Sequence, residues 1–327
     1  MRGEDEIIRH LRRRFPAGGR VRVGIGDDAA VLAGDAGRDW VVTTDLLVEG
    51  VHFVRHWQPA RAVGWKALAR SLSDIAAMGA QPVAALVALA VPAGTPEAWV
   101  KDFFDGLALL SRRFNVRVIG GDLSSAAQVV ADVQVLGEVG HGHALLRRGA
   151  RPGDLLLVSG ALGLAQLGLL CLRHRVASVR PLLKRAVRRH FYPKPRLKLA
   201  RALRRYRPTA LMDLSDGLST DLHRLCEASG VGARLEAARI PTVNLPPPVA
   251  RRFRTSVLDL ALHGGEDYEL LFTLPKSRAA RLSPTLAGSK LTPIGEITRA
   301  RGVVMVDAEG LRMRLKPQGW DHFRREG

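Results

Sequence analysis

Apolar positions follow two alternating rhythms along this chain. Residues 4–15 place Ile7, Ile8, Leu11 and Phe15 on one side of an amphipathic helix. Residues 21–25 and 40–44 read as short strands, the first running into Gly26-Asp27-Asp28 and the second ending at Asp45. Residues 60–78 carry apolar side chains at Val63, Ala67, Leu68 and Leu72, which predicts a helix stopped by Gly79. A buried strand follows at 82–91, then a helix at 96–114 begun by Pro96 and Glu97. Residues 116–119 form a strand entering Gly120-Gly121-Asp122, and 129–137 a further strand.

After Gly140 the pattern changes. Residues 147–154 read as a loop, so a domain boundary is expected near 140–148, giving domains 1–140 and 141–327. The second half alternates strands at 155–158, 210–214, 231–235, 270–273 and 292–297 with helices at 161–173 and 217–229. A basic, partly helical stretch spans 180–205, interrupted by Pro193 and Pro195. Leu245-Pro246-Pro247-Pro248 is expected to be a rigid surface loop. The fold class is α/β, or α+β, in two domains.

Residues 155–172 contain no charge and approach the length of a membrane span, but Gly160, Gly163 and Gly168 divide them into a buried strand, a turn and an apolar helix. The first residues, MRGEDEIIRHLRRRF, are charged throughout and do not read as a secretory signal. Hydrophobic residues make up 46% of the 327, enough for sizeable cores, while Cys171 and Cys226 form no CxxC or Cys/His cluster. Disulfide and zinc frameworks are thereby excluded, and a reducing cytoplasm is expected.

The formal net charge is +19, mostly scattered arginine, and no zinc-finger, RNP or KH pattern accompanies it. Against this basic background the acidic residues cluster. They stand in Gly26-Asp27-Asp28, Thr43-Thr44-Asp45, Ser73-Asp74, Gly120-Gly121-Asp122 and Asp213-Leu214-Ser215-Asp216-Gly217. Singly, each block reads as a turn or a helix cap. Together, carboxylates with neighbouring hydroxyls are the hard oxygen donors that suit Mg²⁺, which usually arrives with phosphates. Most blocks follow a predicted strand, so the sheet ends are expected to bring them together between the two halves. There is no G-x-x-x-x-G-K-[ST] and no G-x-G-x-x-G after a strand, which excludes P-loop, Rossmann and protein-kinase architectures. Gly120-Gly121-Asp122 lets backbone N–H groups approach a phosphate. Glu266, in Gly264-Gly265-Glu266-Asp267-Tyr268-Glu269, suits a cationic or hydrogen-bonding group better than a phosphate.

These stretches resemble the thiamine-monophosphate kinase family, within the superfamily of aminoimidazole ribonucleotide synthetase. The matching segments are GIGDDAAVL (24–32), TTDLLVEGVHF (43–53), ALARSLSDIAAMGAQP (67–82), GGDLS (120–124), RRGARPGD (147–154), MDLSDGLSTDL (212–222), GGEDYEL (264–270) and GWDHF (319–323). The resemblance implies ATP-dependent phosphorylation of thiamine monophosphate. It also implies a homodimer whose N-terminal domains, each with a mixed sheet, pair strands, with an α/β C-terminal domain alongside. It places Asp28, Thr43, Thr44, Asp45, Asp74, Asp122, Asp213 and Asp216 at Mg²⁺ positions. Gly121, Asp122, Arg147 and Ser215 fall at ATP positions, with Arg148 adjacent as an alternative to Arg147. His52, Glu266 and Trp320 fall at substrate positions; the family often has tyrosine where this chain has Trp320.

The acceptor would be a phosphate monoester, whose second pKa near ~6 leaves it anionic at neutral pH. No general base is then needed, and direct in-line transfer without a phospho-enzyme is expected. The competing readings are another ATP-dependent enzyme of the superfamily, like selenophosphate or aminoimidazole ribonucleotide synthetase, and a basic nucleic-acid-binding protein. Clustered carboxylates argue against the latter.

Overall fold

The computed structural model describes residues 3–176 and 181–323, so the first residue of the basic stretch 180–205 lies outside the described residues. The chain opens with α1 (Glu4–Arg14). Its apolar positions do not enter a core: none of its residues is buried, and Phe15 beyond it is 60% exposed.

The first sheet contains β1 (Val21–Val23), β2 (Ala30–Ala33), β3 (Arg38–Val48), β4 (Gln81–Val91), β5 (Arg117–Ser125) and β6 (Val130–Gly140), in the order β1-β2-β3-β6-β4-β5. All neighbours are antiparallel except β4 and β5, so the sheet is mixed as expected. The parallel pair needs a crossover, and α3 (Glu97–Phe114) supplies it. Against this sheet lies α2 (Ala60–Ala77), most of whose residues are buried. Gly64 and Gly106 let α2 and α3 meet backbone to backbone. A Cβ on Gly64 would lie 1.8 Å from Phe103 O, and one on Gly106 1.8 Å from Arg61 O.

The second sheet contains β7 (Leu155–Ser159), β8 (Ala210–Leu214), β9 (Gly232–Glu236), β10 (Glu269–Leu274), β11 (Thr285–Leu286), β12 (Ser289–Thr298), β13 (Gly302–Val306) and β14 (Arg312–Arg314). Its order is β14-β13-β9-β12-β7-β10-β8, with β11 on β12. Around it pack α4 (Leu164–Arg173), α5 (Pro181–Phe191), α6 (Leu197–Leu203), α7 (Leu218–Ser229), α8 (Pro247–Phe253), α9 (Val257–His263) and α10 (Lys276–Ala279). β8 and β10 are buried throughout, which explains why they are mostly apolar, with Asp213 in β8 and Glu269 and Thr273 in β10 as buried polar exceptions. The largest core joins Leu68 and Leu72 of α2 to Leu211 and Phe272 of the second sheet, so α2 is packed from both halves. A second core lies under Leu218, Leu222 and Leu225 of α7.

Several elements differ from the sequence reading. β3 continues through Thr43-Thr44-Asp45 rather than ending there, and β5 runs through Gly120-Gly121-Asp122. The glycines allow this by admitting a bulge: Val118 pairs Ala85 while Gly120 pairs Leu86. A Cβ on Gly121 would meet Val87 O at 1.8 Å. Of the expected loop at 245–248, Leu245 and Pro246 do precede the helix while Pro247 and Pro248 open α8, since prolines in the first helical turn forfeit no hydrogen bond. The apolar run 155–172 is β7, a glycine turn and most of α4; among the described residues no helix is long and apolar enough to cross a membrane. Pro193 and Pro195 do separate α5 from α6.

Candidate active site

A cleft of about 1570 Å³ opens between the two sheets, larger than the ~300–1,000 Å³ usual for one small ligand. The loop between β1 and β2 brings Asp27 and Asp28 to it, and β3 brings Thr43 and Asp45. Asp74 comes from the last turn of α2, Asp213 from β8, and Ser215 and Asp216 from the loop that follows.

The acids do converge. Carboxylate oxygens of Asp28, Asp74 and Asp213 lie within 4.8 Å of one another. Thr43 Oγ1 donates to Asp74 Oδ2 at 2.6 Å, and Ser73 Oγ donates to Asp213. Arg147 Nη2 donates to Asp28 Oδ1 at 2.7 Å, while Asp28 Oδ2 is buried without a hydrogen-bond partner. Burial and the neighbouring Asp28 charge push the Asp213 carboxyl up to about 7 and that of Asp27 up to about 6. Burial, then Asp45 and Asp213, push Asp74 well above the usual carboxylate range. Crowded acids, an orphaned oxygen and an adjoining hydroxyl form a donor set that fits a hard divalent cation.

Alternation along β3 separates its two threonines. Thr43 and Asp45 face α2; Thr44 is exposed on the opposite face and donates to Asp132 of β6. Only the Thr44 backbone carbonyl can therefore serve the acid cluster. Gly121 and Asp122 are not brought into the cleft of their own chain. Asp122 pairs Ala88, Ala88 pairs Asp132, and Asp132 pairs Leu46. These three strand steps put Asp122 about 14 Å from β3. Arg147 lines the cleft, whereas Arg148 is exposed and does not.

The other end of the cleft is lined by His52, Glu266, Trp320 and His322. His52 Nδ1 accepts from the Val48 N–H at 3.0 Å, so its proton sits on Nε2, which is buried without a partner. Burial, together with the Arg70 and His322 charges, holds the His52 pKa down to about 3, so the ring is a neutral donor. Its ring centroid lies 5.1 Å from that of His322, which meets Trp320 edge-on at 5.6 Å. Glu266 has φ +66°, a strained conformation for a residue with a side chain. Its backbone N–H donates to Ser215 O at 2.7 Å, which ties this corner to the Asp213–Gly217 loop.

Several functional candidates escaped the sequence reading. Lys66 is fully buried, with Nζ 2.7 Å from Glu266 and 3.2 Å from the His52 carbonyl oxygen. His190 Nδ1 lies 3.0 Å from Glu266 Oε2. Arg70 Nη2 donates to Asp45 Oδ1 at 3.2 Å. Lys66, Arg70 and Asp74 recur every fourth residue, so one stripe of α2 runs from the Glu266 end to the acid cluster. That charged spacing in a mostly apolar helix was the available signal. Asp221 Oδ2 accepts from the backbone N–H groups of Ser215, Asp216 and Gly217, bracing the loop. Arg224 donates to Asp216 and, at 3.0 Å, to Asp5, which draws α1 over the cleft.

Comparison with known proteins accords with this geometry. Residues 26–139 match the AIR synthase related protein N-terminal domain, and 151–307 match its C-terminal domain. The thiamine-monophosphate kinase of Synechococcus elongatus is 36% identical, with 98% of this chain and 96% of that protein aligned. That of Bacillus subtilis is 33% identical, over 98% and 99% respectively. A solved structure, AaThiL complexed with AMPPCP and TMP, superposes with a TM-score of 0.87 at 33% identity, covering 98% of this chain and 97% of that one. Shared sequence over nearly the whole length, on the same two-sheet frame, means that the chain belongs to the AIR synthase related proteins and, within them, to the thiamine-monophosphate kinases.

Proposed function

We propose that this protein transfers the γ-phosphoryl group of ATP to the phosphate of thiamine monophosphate, giving thiamine diphosphate and ADP. The observation that carries this reading is one cleft with an acid cluster at one end and a neutral imidazole donor, a carboxylate and an indole at the other. A solved relative that covers 98% of this chain is complexed with AMPPCP, an ATP analogue, and TMP.

Asp28, Asp45, Asp74, Asp213 and Asp216, with the Thr43 hydroxyl and the Thr44 carbonyl, would hold Mg²⁺. When bound, Mg²⁺ supplies the positive charge that lets the phosphates of two polyanions approach. Arg147 and Ser215 contact ATP. His52 offers its Nε2–H to an acceptor atom of the substrate, Trp320 offers a ring face, and Glu266 faces the thiazolium cation. The attacking phosphate oxygen is already an anion, so no residue removes a proton and no phospho-enzyme forms.

The chain divides functionally into 1–140 and 141–327, works in the cytoplasm, and acts as a homodimer through β5. Support for the dimer comes from the edge position of β5, its exposure along the whole strand, and the 42–68% exposure of Val118, Ile119 and Leu123. A partner seated there would deliver its Gly121 and Asp122 to this chain's cleft. Mixing Asp122→Ala chains with Asp74→Asn chains tests the arrangement. Each homodimer should be inactive, and exchanged heterodimers should regain one intact site in two. Activity that never returns on exchange counts against delivery across the interface.

The function itself is tested by following thiamine diphosphate and ADP from ATP and thiamine monophosphate, with Mg²⁺ and with a chelator. The expected result is equimolar products that require both thiamine monophosphate and Mg²⁺. ATP turnover indifferent to thiamine monophosphate would sink the reading.

A further inference from the structure

We propose that Arg70 grips the acceptor phosphate, holding it between the acid cluster and the substrate-binding end of the cleft. The inference rests on the reading of thiamine monophosphate as acceptor and deepens it.

Position is the first argument. Arg70 lies one helical turn from Lys66 and one from Asp74, about 6 Å along α2 in each direction at 1.5 Å per residue. Lys66 fixes Glu266 at the substrate end, and Asp74 belongs to the acid cluster at the other. The transferred group must cross between these ends, and Arg70 lines the cleft at that midpoint.

The second argument is unmet hydrogen-bonding capacity. A guanidinium carries five N–H donors. Among the described residues Arg70 makes one hydrogen bond, the 3.2 Å contact to Asp45, longer than the ~2.7–2.9 Å of a well-formed charge-assisted bond. Its Nε is buried without a partner, and the side chain is only 15% exposed. A buried, half-satisfied fork calls for an oxyanion. Of the neighbouring cations, Lys66 is committed to Glu266 and the His52 carbonyl and Arg224 to Asp5 and Asp216, while Arg147, whose Nε is likewise buried without a partner, lies against Asp28 of the acid cluster rather than between the two ends.

The chemistry agrees. A planar fork can hold two oxygens of a phosphate monoester and leave the third free to attack. The bond from Pγ to the β,γ-bridging oxygen breaks, with its electron pair leaving on ADP, and a bond from the acceptor oxygen to Pγ forms. No proton moves, and Arg70 keeps its charge throughout.

Arg70→Met, Arg70→Gln and Arg70→Lys test the proposal by steady-state kinetics and by calorimetric titration of thiamine monophosphate and of unphosphorylated thiamine onto the Mg·AMPPCP-loaded protein. Loss of one charge-assisted contact should weaken thiamine monophosphate binding by about 10- to 100-fold and raise its KM similarly. The KM for ATP and the affinity for thiamine should stay within a few fold. Arg70→Lys should recover part of the loss. Melting curves identify which variants are folded, and the three differ enough in shape that one foldable variant suffices. If thiamine and thiamine monophosphate weaken equally, or if the KM for ATP rises instead, Arg70 serves only Asp45 and the proposal fails. If the unaltered protein neither binds nor phosphorylates thiamine monophosphate, the acceptor reading itself falls, a result distinct from failure of the variants.

Discussion

Asp74→Asn is expected to lower kcat for thiamine monophosphate phosphorylation by on the order of 10³-fold, the scale of several kcal/mol of charge stabilisation. Asp74 reaches toward Asp28 and Asp213 and accepts from Thr43, so an amide there removes a hard anionic donor without changing volume. The same change should make the metal-free protein more stable at neutral pH. The carboxyls of Asp27, Asp74 and Asp213 are all raised, to about 6 for Asp27 and about 7 for Asp213. A raised folded-state pKa contributes stability that is fully present below the unfolded value near 3.8 and is lost as pH rises through the folded value. The melting temperature of the metal-free protein should therefore fall between about pH 4 and pH 7–8. Mg²⁺ should restore it more at pH 8 than at pH 5.5, and Asp74→Asn should flatten both trends. Calorimetric scans across this range, with and without Mg²⁺, provide the check; a slope identical in the variant would refute the assignment of the acid cluster as the cation site.

Lys66→Met should be among the most destabilising single changes, costing about 3–5 kcal/mol, because it removes a fully buried ammonium and leaves the half-buried Glu266 carboxylate with only His190 beside it. The Lys66 ammonium is fully enclosed and lies 2.7 Å from Glu266. Burial alone would raise the Glu266 pKa, but Lys66 and His190 outweigh it and hold the carboxyl far below its usual value. In the unaltered protein that pair contributes stability above the unfolded value near 4.5, and it is lost only as pH falls through the much lower folded value. In Lys66→Met the stranded carboxyl takes up a proton, so the deficit should be larger at pH 8 than at pH 5. A fall in melting temperature of roughly 10 °C is expected at neutral pH. Lys66→Met combined with Glu266→Gln should recover most of it, since two apolar or neutral groups replace a broken ion pair. Additive losses in the double variant would show that Lys66 acts through something other than Glu266. The thiamine monophosphate KM should rise in Lys66→Met, because Lys66 Nζ also donates to the His52 carbonyl oxygen, and in Glu266→Gln, because the proposed partner of the thiazolium loses its charge.

Much of this molecule was legible in its sequence. The 60–78 periodicity and Gly79 gave α2 nearly to the residue, and the uninterrupted run at 270–273 gave β10, because local backbone preference and burial pattern agree there. Several short elements were not legible. β13, β14 and α9 depend on partners distant in sequence, although Ser256 and Asp259 form a capping box at the start of α9. α1 was legible as an amphipathic helix, but not where its apolar side goes: Ile7 and Ile8 are only partly buried, and Ile8 lines the cleft rather than a core.

The candidate site divides in the same way. Residue type alone, acids beside glycine and hydroxyl groups in a basic chain, pointed to phosphates and to a donor set that suits a divalent cation. Which acids meet was decided by three-dimensional packing. The pleat of β3 turns Thr43 and Asp45 inward and Thr44 outward, and the strand order leaves Asp122 about 14 Å from the others in its own chain. The pairing of Lys66 with Glu266, 200 residues apart in sequence, was equally invisible. Side-chain chemistry is a property of each residue, but the compensation of a buried charge belongs to a contact, and contacts at that separation exist only once α2 is enclosed from both halves.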